Sequence, residues 1–179
     1  TDGILYLELR TPAHDAGPIT LRHLLTHTAG FEDDFRNLFS FDPTREISPE
    51  AWLRENLPPR VRPPGVWSVY SNHGTALAGH IVERVSGMHW EEYLERRILE
   101  PLGMTRTTGR EPLPTALAPL ASEGYAPQAG GFRALPFELT PGGAPAGSMS
   151  STAADMATFM LAFLGGGAVG DARILEEET

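Results

Sequence analysis

Tyr70-Ser71-Asn72 is the segment of this sequence best suited to chemistry: a phenol, a hydroxyl and a carboxamide stand together where an extended run gives way to a helix-forming one. Such a bend presents its polar side chains to solvent, and bends of this kind often carry function. A phenol, whose ordinary pKa is about 10, takes up a proton at neutral pH only beside positive charge. The same triplet has a structural reading, in which Asn72 caps the helix that follows and the Tyr70 ring packs on the core. His23 and His27 lie on one helical face and could form a metal pair. No third ligand accompanies them, which favours capping or core hydrogen bonding. Glu32-Asp33-Asp34 could bind a cation or form a solvated helix start. Trp67 and Phe31 could line a pocket, although aromatics at such spacing are usually core. Ser148, with Ser150 and Ser151, sits in a small-residue turn that lacks the Gly-x-Ser-x-Gly setting of a nucleophile elbow. These serines read as helix-start residues that could also shape the cleft.

The elements that must hold these residues are legible from turn and capping chemistry. A short apolar alternation, Ile4 to Leu9, leads into a Pro- and Gly-rich turn from Thr11 to Pro18. Thr20 can cap a helix with Leu21, Leu24 and Leu25 on one face, and Gly30 is expected to stop it. Ser48-Pro49-Glu50 combines a capping hydroxyl, a proline at the first helical position and a first-turn carboxylate, and predicts a helix to about Leu57. After Pro63-Pro64-Gly65, the run Val66 to Tyr70 is extended by its β-branched and aromatic content. The longest helix should begin near Asn72, with Ala76, Leu77, Ile81 and Val85 sharing a face, and end at Ser86-Gly87. Another should bury Trp90, Tyr93, Leu94 and Ile98 before Pro101. Between residues 101 and 150 the glycines at 124, 130 and 131 suggest a hairpin, and Gly142 to Gly147 a tight loop. Thr152 with Asp155 resembles a capping box, followed by Met156, Phe159, Met160 and Phe163 on one face and a Gly165-Gly166-Gly167 terminator.

Composition limits what this assembly can do. The 179 residues suffice for one domain or a large part of one, and the apolar fraction of 41% is that of a globular protein. No window approaches the roughly 18 apolar residues that span a bilayer. A net charge of −9 repels phosphate backbones, so nucleic acid is not an expected partner. There is no cysteine, hence no disulfide, thiolate zinc site or cysteine nucleophile. All 14 basic residues are arginine, so this chain supplies no lysine base or Schiff-base amine. Neither a metal nor an organic cofactor is expected.

Four blocks carry a resemblance: Ile19 to Phe31, reading Ile-Thr-Leu-Arg-His-Leu-Leu-Thr-His-Thr-Ala-Gly-Phe; Pro64 to Asn72, containing the Tyr-x-Asn triplet; Ile98-Leu-Glu-Pro-Leu-Gly-Met104; and Pro145 to Asp155. In order and spacing the chain resembles the β-lactamase-related serine hydrolases, which include class C β-lactamases, DD-peptidases, D-aminopeptidases, esterases and amide hydrolases. The resemblance implies a fold that is mainly α with short β segments (α+β), the helical lobe of the serine β-lactamase and penicillin-binding-protein-like fold. The main sheet would be largely absent, and residues 1–179 would form a single-domain fragment.

Members of that family use Ser-x-x-Lys with the nucleophile, Tyr-x-Asn, and a Lys- or His-containing triplet ending in Gly. Only the second is present, since there is no lysine and no His-x-Gly follows any of the six histidines. The family order places the first motif before Thr1 and the third after Thr179. By resemblance Tyr70 would take the serine proton and return it to the leaving group, with the missing lysines supplying the charge that favours phenolate. Asn72 would hydrogen-bond the substrate amide and fix the lysine. Ser71 and Ser148 would contribute to substrate binding, and His27 to Gly30 would be chiefly architectural. The implied activity of the parent is hydrolysis of an amide or ester, such as a β-lactam, a D-amino-acid peptide or a carboxylic ester, through an acyl-serine, with this chain inactive alone. The rival reading is a non-catalytic peptidoglycan- or partner-binding module. A bacterial extracytoplasmic parent is favoured over a cytoplasmic one, and a lobe cut from its sheet is open to self-association.

Overall fold

The computed structural model describes residues 17–32 and 34–176. The alternation at Ile4 to Leu9, most of the turn from Thr11 to Pro18, and Asp33 lie outside the described residues. The contacts divide the chain into two compact units, one formed by Thr1–Ile81 with Glu111–Ser148 and the other by Val82–Arg110 with Met149–Thr179.

In the first unit α1 (Leu21–Leu25) opens on a capping box: Thr20 Oγ1 accepts from the His23 amide at 3.3 Å, and His23 Nδ1 accepts from the Thr20 amide at 3.2 Å. The imidazole thus does the work that Glu or Gln does in the common version of the motif. The helix stops after Leu25, well before Gly30, because the chain bends through Thr26 and through His27 at φ +55°. Gly30 has a different task. Its φ is +82°, and a Cβ there would stand 2.1 Å from the Arg62 carbonyl oxygen, so only glycine lets the two backbones meet. The Gly30 carbonyl accepts from Val61 N at 2.9 Å, and Glu32 N donates to the Pro59 carbonyl at 3.1 Å.

Helix α2 (Pro49–Glu55) starts on the Ser48 hydroxyl, which accepts from Ala51 N at 3.2 Å. It carries Trp52 and Leu53 into a core with Ile19, Leu24, Ala29, Phe31, Leu38, Ala76, Leu77 and Ala78. Trp52 Nε1 donates to the Asn37 carbonyl at 2.8 Å, which satisfies the indole as it is buried. The glycine-rich loop closes over it: a Cβ on Gly142 would lie 2.4 Å from Trp52 Cβ, and one on Gly79 would lie 2.5 Å from Pro145. The same unit holds the expected hairpin, β1 (Tyr125–Gln128) against β2 (Gly131–Ala134), antiparallel with Tyr125 opposite Ala134.

Helix α3 (Asn72–Ser86) buries Asn72, His73, Ala76, Leu77 and His80. Val85 was expected on this face but is exposed. Each four-residue step turns the helix by about 40° beyond a full circle, so the stripe has rotated away from the core by that point. The run Val66 to Tyr70 joins no strand ladder, and Val66 lies in the turn after Pro64. Val69 N ties the run to the His27 carbonyl at 2.8 Å.

The second unit pairs α4 (Trp90–Leu94), which continues as a π-helical turn over Glu95–Leu99, with α5 (Ala153–Leu164) and a small ladder of β3 (Ala168–Val169) against β4 (Ala172–Arg173). Leu99, Leu102, Met104 and Ala162 are its buried centre, and Leu94, Ile98 and Phe159 pack on it. Trp90, Tyr93, Leu94 and Ile98 are half-buried rather than sealed, with Leu99 taking the innermost place. Thr152 caps α5 as expected, accepting from Asp155 N at 3.2 Å, but the box is not reciprocal. Asp155 Oδ2 instead accepts from Arg106 N and Thr107 Oγ1, each at 2.8 Å. Met160 and Phe163, expected on the packed face, are exposed, and Ala162 occupies the contact. No helix of the described residues is long and apolar enough to cross a membrane.

Candidate active site

The Tyr-x-Asn bend lies in the first unit, at the start of α3. Pro63, Pro64 and Gly65, the last at φ +81°, turn the chain so that Gly65 N donates to the Thr28 carbonyl at 2.8 Å. From there Val66 to Tyr70 runs beside the loop that follows α1, and Ser71 begins the helix. Ser71 is the cap: its Oγ accepts from Gly74 N at 3.0 Å and its carbonyl from Thr75 N at 3.3 Å. This corrects the structural reading of the triplet, in which Asn72 would cap. The Ser71 side chain is buried, with its hydroxyl engaged in the helix start.

Asn72 is freed by that arrangement for another contact. Tyr70 Oη donates to Asn72 Oδ1 at 3.0 Å, so the two outer members of the triplet are directly joined. The tyrosine is 52% exposed and the asparagine 5%. A buried carboxamide therefore holds the tip of a half-exposed phenol, and the Tyr70 ring does not pack in the core. Trp67 is likewise exposed, while Phe31 is core, so the two aromatics do not share a pocket. Ser148 lies in the same unit but is 2% exposed, with its hydroxyl donating to the Ala144 carbonyl at 2.9 Å. It follows the 3₁₀ turn Ala144–Ala146. Ser150 and Ser151 belong to the second unit, where Ser151 Oγ bonds Thr107 Oγ1 at 2.8 Å.

Two histidines, His27 and His73, lie beside the bend. His27 Nδ1 accepts from the Ser71 amide at 3.3 Å, and its ring lies 4.6 Å from that of Tyr70, tilted by 38°. His73 stacks at 5.9 Å on Trp52 and meets Phe31 edge-on at 5.5 Å. Burial lowers its pKa to about 4, against smaller opposing effects from the Asn56 carbonyl and Asp34, and its Nδ1 has no hydrogen-bond partner. No sequence signal marks the positive φ of His27. Its adjacency to the motif marks His73. The histidines at 23 and 27 do not converge on a metal-binding group among the described residues, since one caps α1 and the other faces Ser71. The Asp34 pKa is lowered by its hydrogen bonds from Arg36. A groove of about 910 Å³ elsewhere in this unit is lined by Phe41, Pro112, Leu135 and Phe137 among others, and includes neither Tyr70 nor Asn72.

A family model described as Beta-lactamase matches residues 5–179. The chain belongs to the β-lactamase family. Within it, the chain is 37% identical over 101 residues to the monacolin J acid methylbutanoyltransferase of Aspergillus terreus, covering 51% of this chain and 23% of that protein. Among solved structures it is similar to the D-amino acid amidase of Ochrobactrum anthropi SV3, with a TM-score of 0.68 and 26% identity over 89% of this chain and 46% of the other. It is also similar to the octameric penicillin-binding protein homologue of Pyrococcus abyssi, with a TM-score of 0.66 and 26% identity over 96% and 39% of the two chains. The chain thus spans about a quarter of that transferase and less than half of each structural relative. The helix-rich architecture, with two small ladders and no larger sheet among the described residues, is that of a partial β-lactamase-family domain.

Proposed function

We propose that this chain is the Tyr-x-Asn portion of a serine hydrolase that cleaves an amide or ester through an acyl-serine, and that it is inactive by itself. One observation carries the reading: within a β-lactamase-family chain, a half-exposed phenol is tied by its oxygen to a buried asparagine at the bend that opens α3. Such a pair is suited to proton transfer, because the asparagine fixes the phenol oxygen of a residue that is half exposed. Acyl transfer begins when a serine hydroxyl attacks the carbonyl carbon and its proton passes to a base, the role we assign to the phenolate form of Tyr70. The tetrahedral intermediate collapses as the proton moves from Tyr70 to the leaving amine or alcohol, and water or another alcohol then takes the acyl group. The names of the relatives, an acyltransferase and an amidase, support acyl transfer as the shared chemistry.

The test uses two samples. The 179-residue chain should neither hydrolyse nitrocefin or p-nitrophenyl esters nor gain mass on exposure to penicillin. The full-length protein should turn over an ester or amide with a detectable acyl-serine. An adduct on the isolated chain, or a full-length protein that binds such substrates without acylation, overturns the proposal, the latter in favour of a non-catalytic binding module. The apolar face left open on the fragment, with Met160, Leu161, Phe163 and Leu164 exposed along α5, supports self-association of the isolated chain.

A further inference from the structure

His27 touches the Tyr-x-Asn bend in three ways. Its carbonyl accepts from Val69 N at 2.8 Å, one residue before Tyr70. Its Nδ1 accepts from Ser71 N at 3.3 Å, one residue after. Between these two bonds its ring lies against the Tyr70 ring, 4.6 Å between centroids. The residues on either side of the tyrosine are therefore both anchored to one histidine, and the aromatic contact limits the ring's swing. The histidine makes these contacts from a left-handed backbone, φ +55°, which non-glycine residues adopt at a cost. Residues in such conformations persist where the surroundings require them. Neighbouring ties are consistent with this: Thr26 N donates to the Arg22 carbonyl at 2.9 Å, and Thr28 N to the His23 carbonyl at 2.7 Å, which hold the loop on both sides of the strained residue.

We propose that His27 is a positioning residue for Tyr70: as a neutral imidazole protonated on Nε2, it clamps the backbone on both sides of the tyrosine and packs its ring so that the phenol oxygen meets Asn72. The tautomer follows from the geometry, since a nitrogen that accepts from an amide N–H carries no proton of its own. Nothing in the acid–base chemistry passes through the imidazole, which acts only on where Tyr70 stands. The inference rests on the reading of Tyr70 as the proton-transfer group.

Two substitutions separate the parts of the clamp. His27→Asn keeps an acceptor at the same branch position, Oδ1 for Nδ1, and suits a left-handed backbone, but loses the ring. His27→Phe keeps a ring and loses the acceptor. In the full-length protein acting on p-nitrophenyl butyrate, His27→Phe should lower the acylation rate about tenfold with little change in KM, whereas His27→Asn should stay within about threefold of the parent. Equal rates for all three proteins, or a Phe variant faster than the Asn variant, overturn the proposal. A second measurement is independent of activity: in the full-length protein labelled with ¹⁵N-histidine, the His27 Nδ1 resonance should be that of an unprotonated acceptor, and a protonated Nδ1 overturns the clamp. Should the parent protein fail to acylate at all, the proposed function falls, while the resonance still decides whether His27 holds the bend.

Discussion

Asn72 and His73 are neighbours at the start of α3 that serve opposite ends. Asn72 turns its carboxamide to the Tyr70 phenol, while His73 drives an imidazole into the core between Trp52 and Phe31. Burial makes the neutral ring the stable form, with the pKa lowered from 6.5 to about 4. An unfolded chain takes up this proton below about pH 6.5, whereas the folded chain resists it until about pH 4. The contribution is therefore fully present above pH 6.5 and is lost as the pH falls towards 4, a change on the order of 3 kcal/mol. The melting temperature should fall across that window, and His73→Phe should flatten the fall. An unaltered slope in the variant would show that other groups carry the acid sensitivity. The histidine's place beside Tyr-x-Asn is visible in the sequence, but its burial is not, because Trp52 and Phe31 come from segments 21 and 42 residues away.

At the scale of elements, what could be read in advance was what neighbouring residues decide. Ser48-Pro49-Glu50 opened α2 and the glycines at 130 and 131 turned the hairpin, since caps and tight turns are satisfied within a few residues. The Tyr-x-Asn bend was legible for the same reason, as the point where an extended run becomes a helix. Gly30 was misread as a helix stop because its true constraint, the Arg62 carbonyl, lies 32 residues on. Val85, Met160 and Phe163 follow helical spacing yet face outward, since periodicity marks a stripe without saying where the partner surface ends. The close approach at Gly30 joins the His27 loop to the Arg60 segment leading to Tyr70, so it should be sensitive. Gly30→Ala adds a Cβ against rigid backbone at a positive φ and should destabilise the protein by about 2 kcal/mol or more. Denaturant unfolding reads the effect, and a loss below about 0.5 kcal/mol would mean that the two backbones separate freely.

On the scale of the whole molecule, the relation to longer relatives governs behaviour. This chain matches 23% of the Aspergillus transferase and 46% of the Ochrobactrum amidase chain. Phe163 and Leu164 on α5 are 71% and 80% exposed, which suits a surface that another part of a larger protein covers. Left uncovered, that surface should bring copies of the 19.4 kDa chain together, and light scattering should report a larger mass that falls on dilution. Leu161→Glu should reduce the association, and a clean monomer of the unaltered chain at micromolar concentration would contradict it. The proposed function rests on one local fact, that Tyr70 is half exposed and tied by its oxygen to the buried Asn72. The most direct measurement is the pre-steady-state acylation rate of the full-length protein with Tyr70→Phe. The rate should fall by about a hundredfold or more at an unchanged melting temperature. Acylation at the parental rate would contradict the assignment of Tyr70 as the proton-transfer group.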